Sequence, residues 1–234
     1  MEKENKNNKD EKKIVIIKNG PYIVSGNLPL DKEIIVEDKD GTPISWKKIK
    51  QYPNQEKYDL CRCGHSKNKP YCDGTHIKIK FDGTETASRE SYLNLAEEIN
   101  GHDLKLTDHK SLCVGAGFCH RAGGTWKLTR ESDDPEKKKI AIETACNCPS
   151  GRLIAWDKKT GKAIEPESEP SITLVEEAGG VMGPIWVKGK VKIISSDGKE
   201  YETRNRVTLC RCGRSFNKPF CDGTHAITET KSKK

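Results

Sequence analysis

The chain is poor in what a large hydrophobic core is made from. Only 6% of its 234 residues are aromatic, methionine occurs twice, and apolar residues make up 33%, no more than the charged ones. A chain of this length holds one large domain or two to three small ones. So little apolar mass argues against a single deep core and for small modules organised around metal sites. No apolar run approaches the roughly 20 residues that span a bilayer. The N-terminus, MEKENKNNKDEKK, lacks the apolar segment of a secretory signal. The expected location is therefore the cytoplasm, where thiols stay reduced, with no membrane partner. Also missing are a Ser-His-Asp set, a P-loop, a dinucleotide glycine fingerprint and a paired carboxylate site. Nothing argues for a substrate-converting enzyme. The net charge is +7, but lysine and glutamate alternate and no basic helix or aromatic-studded basic strand stands out. No nucleic-acid partner is expected.

Against this sparse background stand ten cysteines, all in three groups: 61/63/72, 113/119/146/148 and 210/212/221. In a reducing compartment such clustering points to metal or cluster ligation, not to disulfides. Residues 61–76 read CRCGHSKNKPYCDGTH and residues 210–225 read CRCGRSFNKPFCDGTH; thirteen of sixteen positions are identical. The candidate ligands fall at the same offsets: Cys61, Cys63, Cys72 and His76, then Cys210, Cys212, Cys221 and His225. Three thiolates and an imidazole can hold one zinc ion or an iron–sulfur cluster. Zinc knuckles usually pair cysteines as C-x2-C, whereas C-x-C on an extended strand turns both side chains to one face. The later cysteine and histidine, four apart, can then serve a second metal. Gly74 and Gly223 allow close backbone approach, and Pro70 and Pro219 fix the entry into the turn.

The pattern C-x-C-x2-S-x3-P-x-C-D-G-T-H closely resembles the signature of the CDGSH iron–sulfur family, the NEET proteins. Thr75 and Thr224 replace the serine of the family name, and the ligand set is intact. The resemblance implies one [2Fe–2S] cluster per motif, held by three cysteines and one histidine. It also implies a β-rich pair of modules with pseudo-twofold symmetry within one polypeptide, hence a monomer. An imidazole in place of a thiolate makes a cluster less negative and raises its potential. It also accepts protons near neutral pH, so such a cluster should be redox-active, pH-responsive and releasable.

Between the motifs, Cys113 and Cys119 form C-x5-C, and Cys146-Asn147-Cys148-Pro149 ends in Cys-Pro, which resembles the closing ligand of bacterial ferredoxins. With Trp126 between them and Ser150-Gly151-Arg152-Leu153 following, residues 88–157 resemble a divergent single-cluster 4Fe–4S domain. Cys113, Cys119 and Cys148 match its cysteines. Cys146 and His120 are candidates for a fourth ligand; without either, the cluster has an open iron or is [3Fe–4S].

The expected architecture is α+β. A disordered tail (1–12) precedes a first CDGSH module (13–87), a ferredoxin-like domain (88–157), a linker (158–170) and a second CDGSH module (171–230), with KSKK as a loose end. Strands are expected at 14–17, 22–24, 34–36 and 44–46, and again at 172–175, 184–187, 191–194 and 207–209. Gly20-Pro21 and Gly183-Pro184 open matching strands, so the repeat extends upstream of the ligands. Helices are expected over 91–99 and from Asp133-Asp134-Pro135 to Cys146. His65 stands where the second copy has Arg214 and is not a required ligand. His102 and His109 are expected to be solvated, the four tryptophans to serve module cores, and Arg62 and Arg211 to be solvated or to tune potential by charge. The expected functions are electron transfer or iron–sulfur cluster storage and delivery, with a redox partner or cluster acceptor. A redox or pH sensor and a structural zinc scaffold are the alternatives.

Overall fold

The computed structural model describes residues 11–177 and 180–231. Most of the N-terminal tail and of the KSKK end lie outside the described residues. Glu11, at the end of that tail, is placed: its carboxylate accepts from Lys13 and Lys192, each at 2.8 Å.

The first segment supplies β1 (Lys13–Ile16), β2 (Tyr22–Ser25), β3 (Leu30–Glu37), β4 (Pro43–Gln51) and β5 (Lys57–Leu60). The second supplies β10 (Ser171–Glu176), β11 (Met182–Lys188), β12 (Lys192–Ile194) and β13 (Arg206–Leu209). The two sets exchange strands: the first gives the β3–β4 hairpin and receives β12. One sheet runs β12-β1-β2-β5 and the other β13-β11-β10-β3-β4. Strand β12 pairs parallel to β1, with Ile14 opposite Ile193, and β3 pairs parallel to β10, with Leu30 opposite Ile172. The inner faces of both sheets form one buried cluster that includes Ile14, Val24, Leu60, Ile172, Ile185 and Leu209. Alternation of buried and partly buried residues along β1, β2 and β3 is what places these side chains inward. Strand β4 lies at a sheet edge and is mostly exposed; Lys47, Lys48 and Lys50 guard it against edge pairing. Ion pairs span the two segments: Glu33 to Lys188 at 2.8 Å, and Lys32 to Glu176.

The insert forms its own antiparallel sheet in the order β6-β7-β8-β9, from β6 (Glu97–Asn100), β7 (Leu104–Asp108), β8 (Leu153–Asp157) and β9 (Ala163–Ile164). Helices α3 (Thr125–Arg130) and α4 (Pro135–Cys146) cover it, burying Leu104, Leu128 and Ala141 together. Asp134 caps α4, its side chain accepting from the amides of Glu136 and Lys137, with Pro135 in the first turn. The helix expected over 91–99 is cut short. Only α2 (Tyr92–Leu95) forms, and Glu97–Asn100 joins the sheet against β7. A nine-residue helix has little stability of its own. Here Tyr92 is drawn inward, its hydroxyl donating to the Arg152 carbonyl at 2.9 Å, and β7 takes up the backbone that follows. The stretch 158–170 is likewise more than a linker, because β9 falls within it and pairs with β8.

The insert is clamped to both segments. Trp46 of β4 donates to the Asn147 carbonyl at 3.2 Å and lies 5.0 Å, ring to ring, from both Phe118 and Trp186. Buried Arg206 of β13 donates to the carbonyls of Cys146 and Leu153 at 2.6 and 3.0 Å.

The two motifs themselves meet back to back. Gly64 and Gly213 are both left-handed, at φ +80° and +78°. A Cβ on Gly64 would stand 2.6 Å from the Cys212 carbonyl oxygen, and one on Gly213 would stand 2.7 Å from that of Cys63. Gly41 shares the conformation, at φ +77°, but has open space around it. Gly41→Ala is therefore expected to cost only the backbone strain, about 1 kcal/mol. Gly64→Ala should cost at least about 2 kcal/mol more, because backbone has to move. Denaturant unfolding of the two variants measures the difference; equal losses would mean that the contact between the motifs adds nothing.

Candidate metal centres

The two sixteen-residue motifs close through the same set of hydrogen bonds. Ser66 and Ser215 are buried, donate to the carbonyls of Tyr71 and Phe220 at 2.6 and 2.7 Å, and accept from Asn68 and Asn217, both at 3.0 Å. The aspartate of each Cys-Asp-Gly, Asp73 or Asp222, ties the loop across itself. It accepts from the amides of Lys67 or Phe216 at 2.8 Å and of Thr75 or Thr224 at 3.0 Å. Burial works to raise the Asp222 pKa, but the bonds from Thr224 and Phe216 outweigh it and hold the carboxyl low. Gly74 and Gly223 follow at φ +80° and +82°, and the left-handed turn starts α1 (Thr75–Lys78) and α5 (Thr224–Lys231) with the histidine in the first turn.

The ligand candidates come together in pairs. Cys61 and Cys63 Sγ atoms lie 3.8 Å apart, and Cys210 and Cys212 3.7 Å apart. Two thiolates on one tetrahedral metal, with bonds of about 2.3 Å, are about 3.8 Å apart. Cys72 Sγ lies 3.3 Å from His76 Nδ1, and Cys221 Sγ 3.3 Å from His225 Nδ1. That is close to the roughly 3.5 Å expected of a thiolate and an imidazole on one metal. Among the described residues no three His, Cys, Asp or Glu side chains converge as ligands of a single ion. Each motif thus presents two pairs of donors and no one-ion cage. Nδ1 is the ring nitrogen turned to the thiol in both copies.

The two centres differ in their surroundings. Cys221 and His225 are each 2% exposed, whereas Cys72 and His76 are half-buried. Nε2 of His225 is 2.5 Å from Glu177 Oε1. Burial alone would lower the His225 pKa, but the bonds to Cys221 and Glu177 raise it to about 10. The hydrogen bond between the buried thiols of the second pair favours ionisation of Cys212 and pushes Cys210 up.

In the insert, Cys113, Cys119 and Cys148 line one cavity of about 260 Å³, together with His120, Trp126 and Arg152. Burial, then the neighbouring Cys148 and Cys113, push the Cys119 thiol up to about 11, with Arg152 opposing. Asp108 holds the cavity wall. Its carboxylate is buried and accepts from Arg152 Nε and Nη2 at 2.6 and 2.9 Å and from Trp126 Nε1 at 2.9 Å. The sequence reading missed Asp108, whose position ends an ordinary strand; nothing in its neighbours in sequence signals the role. Cys146 is not brought to this set. Its thiol points to the Ile164 carbonyl at 3.6 Å, and the charged groups around it are Arg206 and Glu165.

Other residues read from the sequence have changed roles. Arg62 is not solvated: it is 1% exposed, donates to the carbonyls of Ile17 and Gly83, and lies against Tyr22 and Phe81. Arg211 matches it, donating to Gly183 and Val175 at 2.8 and 2.9 Å. Both lock strand ends behind the motif. His109 is half-buried beside Tyr92, while His102 is exposed near Asp133.

Residues 19–77 and 182–226 match the iron-binding zinc finger CDGSH type family, and residues 99–158 match the divergent 4Fe–4S mono-cluster family. The chain is a CDGSH-type iron–sulfur protein in which two CDGSH segments flank a divergent 4Fe–4S mono-cluster domain. No curated protein matches it.

The cavity makes the insert ligands separable by mutation. Cys148→Ser should abolish the insert's cluster signal and leave the signals of both motifs. Cys146→Ser should leave all three in place. Iron content and low-temperature EPR of the purified variants read both outcomes; loss of the insert signal in Cys146→Ser would contradict the placement of that thiol.

Proposed function

We propose that the protein holds two [2Fe–2S] clusters and one [4Fe–4S] or [3Fe–4S] cluster, and serves in electron transfer or in cluster storage and delivery. The first cluster is assigned to Cys61, Cys63, Cys72 and His76, and the second to Cys210, Cys212, Cys221 and His225. The third is assigned to Cys113, Cys119 and Cys148. The observation that carries the two-iron reading is the split of each ligand set into a thiol–thiol pair and a thiol–imidazole pair, with no single-ion cage. A structural zinc site would gather all four donors around one point. When bound, such clusters supply one-electron redox chemistry at potentials set by charge, hydrogen bonding and exposure.

The polypeptide brings the three ligand sets into direct backbone contact. A Cβ on Gly223 would lie 3.0 Å from the Cys113 carbonyl oxygen and 3.4 Å from Val114. Asn217 also reaches the Ser111 carbonyl at 3.4 Å. The second motif therefore sits against the insert's cysteine loop on one side and against the first motif, through Gly64 and Gly213, on the other. This supports a carrier in which insert, second motif and first motif act in series. The strand exchange supports an internal pseudo-twofold pair, and so a monomer. No helix among the described residues is long and apolar enough to cross a membrane. We place the protein in the cytoplasm and assign it no substrate-converting reaction; its partners are a redox protein or a cluster acceptor.

The two histidine-bearing centres should not release metal equally. Protons compete with metal for Nδ1, so loss accelerates as pH falls. Solvent access decides the order: the half-buried Cys72–His76 side, open to water, should lose its cluster first, and the buried Cys221–His225 side, which solvent reaches last, later. Replacing both histidines by cysteine should flatten the acid dependence and lower both potentials, because a thiolate adds negative charge. Anaerobic iron, sulfide and zinc analysis, with absorbance decay followed from pH 8 to 5, tests this. Stoichiometric zinc with little sulfide would refute the two-iron reading, and an unchanged pH profile in the double variant would remove histidine as the source of lability.

A further inference from the structure

Bacterial ferredoxins hold a four-iron cluster with the run C-x2-C-x2-C and a distant Cys-Pro. In this chain the corresponding residues are Cys113, Ala116, Cys119 and Cys148-Pro149. The first, third and fourth positions keep their thiols, and the second is a methyl group. The three cysteines do line one cavity, and Ala116 lies on its wall between them in sequence. Neither Cys146 nor Asp108 repairs the loss there, and His120, on the same cavity, is turned out to solvent. Cys146 is turned to Ile164, and the Asp108 carboxylate is already engaged by Arg152 and Trp126.

The loop around Ala116 has a second face. Gly115, Ala116, Gly117 and His120 also line a neighbouring cavity of about 480 Å³. Its opposite wall comes from the β3–β4 hairpin, with Ile35, Thr42 and Pro43. Gly117 fits against that wall closely: a Cβ there would be 2.9 Å from Pro43. Gly115 and Gly117 are both left-handed, at φ +81°, so the loop turns on both sides of Ala116 and presents it between the two cavities. Glu37 and Glu177 lie on the outer cavity with exposed His120, and Glu177 Oε1 is engaged from behind by His225 Nε2 at 2.5 Å. This cavity is built from the hairpin of the first segment, the insert and the end of β10, so it does not belong to the insert alone.

We propose that the insert's cluster has one position without a protein ligand, at Ala116, and that the outer cavity admits a small exogenous thiol to it. The proposal rests on the insert holding a cubane-type cluster through Cys113, Cys119 and Cys148. A thiol binds there as its thiolate, forming a sulfur–iron bond and giving its proton to solvent; no electron moves. Of the two carboxylates Glu177 is held by His225, so Glu37 is the one that repels a negatively charged thiol and favours one carrying an ammonium group. Cysteamine should therefore bind more tightly than mercaptoacetate. Without such a ligand, dioxygen as the one-electron acceptor would oxidise a [4Fe–4S]2+ core, releasing Fe2+ from that position and leaving [3Fe–4S]+.

The test uses the full chain purified anaerobically. On exposure to air, the wild type should lose about one iron per chain and gain the EPR signal of an oxidised three-iron cluster. Ala116→Cys supplies the missing thiolate and should keep the four-iron form. In the reduced wild type, cysteamine should shift the four-iron EPR signal at lower concentration than mercaptoacetate, and Ala116→Cys should respond to neither. The proposal is overturned if the wild type keeps four irons in air, and His120→Ala or Cys146→Ser then loses them. It is also overturned if Ala116→Cys behaves as wild type, or if no thiol shifts the signal. The thiol titration needs no variant, so misfolding of Ala116→Cys leaves the test intact. Signals of the two histidine-bearing centres are distinct, so zinc there would refute the two-iron reading without touching this result.

Discussion

The exchange of the β3–β4 hairpin for β12 between the two sheets is the constraint on which the rest of the molecule depends. Neither segment can complete its sheet alone. Strand β1 needs Lys192–Ile194 beside it, and β10 needs β3. A chain so short of apolar residues gains from this, because the two small hydrophobic faces become one buried cluster. The same exchange brings the ends of β5 and β13 together, and those strands run directly into Cys61 and Cys210. The approach of Gly64 to Cys212, and of Gly213 to Cys63, follows from it.

Within that frame the duplicated motifs are alike in their hydrogen bonds and unlike in their exposure. The loop geometry is local: a serine, an aspartate and a left-handed glycine close each turn through bonds within sixteen residues. The exposure is not local. The second motif is covered by the insert and by the first segment's trailing chain, where Thr86 and Ala87 donate to the Lys218 carbonyl at 2.7 and 2.9 Å. Two copies of one sequence thus receive different solvent access, and solvent access is one of the levers that set a cluster's potential and lability. Duplication followed by asymmetric burial gives one chain two chemically distinct versions of one site.

Much of the candidate site was legible in the sequence. The cysteine groups, the repeat and the C-x-C pairing all follow from spacing, because ligands two apart on a strand and four apart around a tight turn are fixed by backbone geometry over short distances. The helix ending at Cys146 was legible for the same reason: Asp134 and Pro135 act within one turn. The reading failed where a long-range partner decides the local structure. Residues 91–99 carry helical spacing, yet β7 claims 97–100 for a sheet. Arg62 looks like a surface charge, yet carbonyls of Ile17 and Gly83 draw it into the interior.

What the sequence by itself determined, then, is the inventory: three groups of cysteines, two histidines at matching offsets, and β-rich segments on either side of a mixed insert. What only the tertiary structure decided is which donors meet and how exposed they are. Cys146 is two residues from Cys148, as close as Cys61 is to Cys63, but α4 ends between them and Cys146 is turned to β9. Asp108 is an ordinary strand residue until Arg152 and Trp126 close on it. Spacing along the chain fixes side-chain direction only while one regular element continues. Once the chain turns, direction is set by packing against elements far away in sequence, and only the folded structure contains that information.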